Sequence, residues 1–136
     1  MLKIPVTFFL LLLCPSLMAD SKSNEGASVY FISPADGATV KNPVTIKFGL
    51  KNMGIAPAGI QYENTGHHHL IVDADLPSLE HPVPGDDHHL HFGKGQTETE
   101  LVLSPGEHTL QLLFGDYSHT PHTPPVYSER ITINVE

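Results

Sequence analysis

From residue 28 onward, apolar and polar positions alternate with a period of two in short runs broken by Pro and Gly. Val44, Ile46, Phe48 and Leu50 alternate with Thr45, Lys47, Gly49 and Lys51, the pattern of a strand with one buried face. Val29 to Ile32 is an earlier run, ended by Pro34 and an Asp36-Gly37 turn. His68, Leu70 and Val72 alternate with His67, His69, Ile71 and Asp73 in a third. A fourth runs near Thr97 to Leu103, turns at Pro105-Gly106, and is expected to form a hairpin with His108 to Phe114. Ile131, Ile133 and Val135 close the chain as a last strand. No stretch sustains a helical period, and twelve prolines leave little room for one. The pattern predicts an all-β protein, an antiparallel β-sandwich of immunoglobulin-like or cupredoxin-like shape. One domain is expected over residues 28–136, preceded by a flexible polar tail at 20–27, with long loops at 52–66 and 74–95.

The first nineteen residues break the pattern. Lys3 supplies a positive start, Ile4 to Leu13 is apolar, and Ala19 ends a plausible cleavage site, so 1–19 reads as a secretory signal peptide. The apolar run is shorter than the roughly 20 residues a spanning helix takes, so no membrane span is expected. Cys14 offers a lipoprotein anchor as the lesser alternative, because Leu13 before it is larger than such sites normally accept. The expected location is periplasmic or secreted. Cleavage after Ala19 would remove the single cysteine and with it any disulfide, leaving an ordinary core to stabilise the fold.

Charge narrows the partners. Seven Lys and Arg against fifteen Asp and Glu give a formal charge of −8. Such a balance disfavours nucleic acid and anionic lipid, both of which call for basic patches, and favours cations. No feature identifies a protein partner.

Ten histidines then point to the chemistry. Neutral imidazole is the commonest ligand for transition metals. His67, His68 and His69 run together; His88, His89 and His91 form a second group; His119 and His122 flank Pro121 in a Pro-rich segment. On a strand His67 and His69 share a face, as do His89 and His91, about 6.6–6.8 Å apart at Cα. Rings so spaced can converge on one ion with bonds of about 2.0 Å. Asp73, Asp86, Asp87 and Asp116 could supply oxygen or orient a ring. With no thiolate in the chain after Ala19 and only Met53 as thioether, blue-copper, zinc-thiolate and thioether Cu(I) sites drop out, leaving a nitrogen-rich site for copper(II), zinc(II) or nickel(II). Bland readings stand beside this one. Triple-His runs occur as solvated loops, His108 opens a core strand, and His81 sits among prolines as plain surface.

Four segments in order carry a resemblance: Gly66-His67-His68-His69-Leu70-Ile71-Val72-Asp73, His91-Phe92-Gly93-Lys94-Gly95-Gln96-Thr97-Glu98, Pro105-Gly106-Glu107-His108-Thr109-Leu110-Gln111-Leu112, and Gly115-Asp116 with Ser118-His119-Thr120-Pro121-His122. Together they resemble the bacterial family of exported proteins known as domain of unknown function 4399, over roughly residues 45–136. The resemblance implies that His67, His68, His69, His91, His108, His119 and His122 belong to the family pattern, with Asp116 and Gln96 as supporting groups. It places His81, His88 and His89 in a more variable loop. It implies no activity.

The leading expectation is an exported metal-binding protein that delivers, buffers or sequesters copper or zinc, with candidate ligands His67, His69, His91, His119 and His122. His68 replaces its neighbours if the strand faces are reversed. Additional or supporting groups are His108, Asp116 and Gln96. A second expectation is a non-catalytic immunoglobulin-like interaction module whose histidines are structural or pH-responsive, with Tyr30, Tyr62, Tyr117 and Tyr127 as surface candidates. A metalloenzyme ranks below both: Glu63, Glu98 or Asp116 could act as acid or base, but no motif selects one.

Overall fold

The computed structural model describes residues 20–136, so the expected signal peptide and Cys14 lie outside the described residues. The described chain is all-β and contains no helix. Its strands are β1 (Ser28–Ser33), β2 (Thr39–Val40), β3 (Val44–Lys51), β4 (Gly54–Ile55), β5 (Thr65–Val72), β6 (His89–His91), β7 (Glu98–Leu101), β8 (Gly106–Gly115), β9 (Pro121–Tyr127) and β10 (Ile131–Val135). They form a three-stranded sheet in the order β1-β3-β7 and a larger one in the order β2-β10-β8-β5-β4. In the larger sheet β6 adds to β5, and β9 adds to β8. Pairing is antiparallel apart from two short parallel contacts at the margins, β2 with β10 and β4 with β5.

Period-two burial explains the layering. Val44, Ile46 and Phe48 of β3 face Leu70, Val72, Leu110, Leu112 and Phe114 of the larger sheet, and together they make the core of a β-sandwich. β5 is buried along nearly its whole length, on both faces. Its second face is covered by the segment after Val72, where Val83, Leu76, Leu79 and Ala74 pack on Ile71 and Leu113. The long loop expected at 74–95 is therefore a strap over the outer face of the sheet, and it returns as β6.

The expected β7–β8 hairpin does not form: β7 pairs with β3, in the other sheet, while β8 lies between β5 and β10. Asn42 explains the crossing. Its Nδ2 donates to the Leu103 carbonyl and its Oδ1 accepts from the Leu103 N–H, pinning the chain as it leaves one sheet for the other. The Pro-rich segment after Thr120 is also a strand, an edge strand on β8 as proline requires. Residues 21–23 run beside it, with Ser23 N donating to Thr123 O and Thr123 N to Ser21 O.

Candidate metal centre

β5 presents three consecutive histidines to two different environments. His67 and His69 project to the outer face of the larger sheet, and His68 projects into the core between Phe48 and Phe114, with ring centroids 5.1 and 5.2 Å away. Antiparallel pairing sets His91 of β6 directly opposite His69, so a third imidazole joins the outer face. The fourth, His119, comes from the turn between β8 and β9 and sits over the other three. All six ring-to-ring distances within the quartet lie between 4.6 and 6.0 Å.

The nitrogens converge. His67 Nε2 lies 3.1 Å from His119 Nδ1 and 3.1 Å from His91 Nε2. One ligand atom from each of the four residues falls within 4.8 Å of all the others, so the group could hold a metal ion. A tetrahedral ion with bonds of about 2.0 Å sets its ligand atoms about 3.3 Å apart, close to the two short edges. Hydrogen bonding alone accounts for them poorly. An imidazole nitrogen has a single in-plane site, a proton or a lone pair, so His67 Nε2 cannot make two well-aligned bonds at once.

Burial sets the protonation. Desolvation, followed by the charges of His91 and His119, lowers His67 to about 4. Desolvation, followed by His67, His91 and His119, lowers His69 to about 3. Burial and then His119 lower His91 as well. Burial thus favours the neutral, lone-pair form that a metal requires at His67, His69 and His91. His67 and His69 form the floor, while His91 is exposed and His119 half-buried at the rim. A cavity of about 230 Å³ lined by His69, His91, His119, Val83, Pro84 and Gly85 opens onto them.

Two glycines make room. A Cβ on Gly115, opposite His67 on β8, would come within 2.7 Å of His69 Cε1 and 3.3 Å of the His119 main chain. One on Gly93 would strike the His91 ring at 2.2 Å. His119 itself adopts a left-handed φ of 68°, and Asp116 stabilises that turn. Its Oδ1 accepts from Ser118 N, Ser118 Oγ and Thr120 N, while its main-chain oxygen accepts from His119 N. From the strap, Val83 N donates to His119 O at 2.9 Å.

The other candidates fall elsewhere. His68 is on the opposite face of β5 because neighbours on a strand alternate, and neither of its ring nitrogens has a protein partner. His122 lies on β9, stacked on Phe114 at 5.6 Å, and its Nε2 donates to Thr65 O. His108 is structural: Nδ1 donates to Asp73 Oδ2 at 2.6 Å and Nε2 to Ser104 O at 2.7 Å. The Asp73 hydrogen bond raises its pKa. Gln96 is exposed and its Oε1 accepts from Lys94 N. His88 donates to Val72 O, His89 pairs with Asp86, and His81 contacts Ser78 Oγ. Sequence reasoning overlooked Gly93, Gly115 and Ser21, whose roles depend on which chains lie beside them.

A family model described as a domain of unknown function (DUF4399) matches residues 46–136. No curated protein and no solved structure matches the chain.

Proposed function

The chain belongs to the DUF4399 family, and from its histidine quartet we propose that it is a metal-binding protein that holds one copper or zinc ion on His67, His69, His91 and His119. The single observation that carries this reading is the convergence of His67 Nε2, His91 Nε2 and His119 Nδ1 at 3.1 Å contacts that one proton cannot satisfy. The donor set is all nitrogen, which suits copper(II) and zinc(II), with copper favoured by intrinsic affinity. Four protein ligands would complete the usual shell of a structural zinc(II) ion, so holding and handing over the ion fits better than catalysis. The rim position of His91 and His119 gives the ion a way in and out. With a signal-like N-terminus and a formal charge of −8, the role would be delivery, buffering or sequestration outside the cytoplasm.

The test is a titration of untagged protein with copper(II) and zinc(II), run beside His91→Ala, His119→Ala and the exposed control His81→Ala. One tightly held ion per chain is expected, weakened at least a hundredfold in the first two variants and unchanged in the control. Weak binding of several ions, indifferent to His91 and His119, would overturn the proposal and leave a non-catalytic interaction module.

A further inference from the structure

Asp116 is only 6% exposed, and both of its carboxylate oxygens accept hydrogen bonds. Oδ1 organises the turn that carries His119. Oδ2 accepts a 2.6 Å hydrogen bond from Ser21 Oγ, 95 residues away in the chain. Ser21 is held in place by main-chain bonds on both sides of Thr123: Thr123 N to Ser21 O at 2.9 Å and Ser23 N to Thr123 O at 3.1 Å. Ser23 Oγ adds a bond to Pro124 O at 2.7 Å. The segment thus forms a single parallel bridge beside β9, Lys22 with Thr123, and from it Ser21 Oγ reaches the carboxylate that shapes the His119 turn. His119 occupies the left-handed region, which residues other than glycine adopt uncommonly. One oxygen of the Asp116 carboxylate grips that turn, and the other is held from outside it by Ser21.

We propose that residues 20–23 are a clasp, with Ser21 as a positioning residue that acts through Asp116 to set His119, so that docking of this segment and ion binding are coupled. The inference rests on the metal-binding reading above. Coupling of this kind is reciprocal: a docked segment raises affinity for the ion, and the ion tightens the segment by the same factor.

The test compares the untagged full chain with Ser21→Ala and Ser21→Thr, titrated with cobalt(II) by visible absorption and with zinc(II) against a chromophoric chelator. Loss of a hydrogen bond to a charged group should weaken ion binding roughly tenfold in Ser21→Ala. The cobalt(II) band should shift as the His119 ligand loosens, and Ser21→Thr, which keeps the hydroxyl, should restore both. In the unaltered chain, zinc(II) should slow amide exchange at Ser23 and Thr123. Equal affinity and identical cobalt(II) spectra for Ser21→Ala, or exchange at Ser23 and Thr123 that ignores zinc(II), would overturn the clasp and leave the four-histidine site standing. Failure of the unaltered chain to bind either ion would overturn the site and the clasp together.

Discussion

A single histidine can be a liability, a brace or a ligand, depending on what surrounds its two nitrogens. His68 is a liability: wholly buried between phenylalanines, with both nitrogens unpartnered, it forfeits its hydration for nothing. His68→Leu is expected to raise the urea midpoint by the equivalent of roughly 1–3 kcal/mol while leaving ion stoichiometry at one. An unchanged or lowered midpoint would mean that the imidazole makes an interaction beyond those seen. His108 is a brace, held as an imidazolium between Asp73 and Ser104. These groups respond to pH in opposite senses. Burial keeps His67 and His68 neutral to about pH 4 and His69 to about 3, whereas unfolded imidazoles titrate near 6.5. Between those limits the unfolded chain binds more protons, so stability falls as pH drops below about 6.5, by about 1.4 kcal/mol per pH unit for each proton. His108 has a raised pKa, so its contribution is complete below about 6.5 and is lost as pH rises through the raised value. Denaturant melts of the metal-free protein across pH should therefore show an acid limb set by β5 and a shallower alkaline limb. Asp73→Asn should abolish the alkaline limb alone.

At the scale of elements, β5 sorts a run of histidines onto two faces by simple alternation, and that much was legible in the sequence. The period of two put His67 and His69 on one face and His68 on the other, and the strand assignments for β1, β3, β8 and β10 follow from the same rule. What lay out of reach was pairing. His91 was already a candidate from the sequence, but its place opposite His69 comes from the strand register, and no local pattern encodes which strand β6 will join. The β7–β8 hairpin failed for the same reason: a Pro-Gly turn signals a reversal of direction but not a change of sheet. His122, paired with His119 by spacing, departs because Pro121 opens a strand while His119 stays in a left-handed turn. The glycines carry a related lesson, since their value lies in the neighbours they admit. Gly93→Ala sets a methyl against the ring of His91, a rim residue with room to swing away. Affinity for zinc(II) should drop about tenfold or more while the thermal midpoint of the metal-free protein moves less, since the atoms the methyl would strike belong to the exposed His91 side chain and not to backbone. A fall in the metal-free midpoint with affinity intact would reassign Gly93 to the fold.

For the molecule as a whole, the quartet draws together parts of the chain that are far apart in sequence. His67 and His69 come from the central region of the larger sheet, His91 from the strand that ends the outer strap, and His119 from the turn between β8 and β9, braced by Val83 of that strap. An ion bound to all four would link sheet, strap and turn in the native state, and the unfolded chain could not reproduce the arrangement. Ligand that binds only the folded form adds RT ln(1 + [L]/Kd) to stability, about 4 kcal/mol at a thousandfold excess over Kd. For a domain of this size that corresponds to a rise in Tm of roughly 10–25 °C. Hydrogen exchange would locate the effect: protection should grow most in the strap at Val83 and in the 116–120 turn, and least in β1 and β3 of the opposite sheet. A Tm that climbs with zinc(II) while protection rises evenly across both sheets would point to ions bound all over an acidic surface. A rise confined to the strap and the turn, absent in His119→Ala, would identify the quartet as the place where the ion enters the fold's energetics.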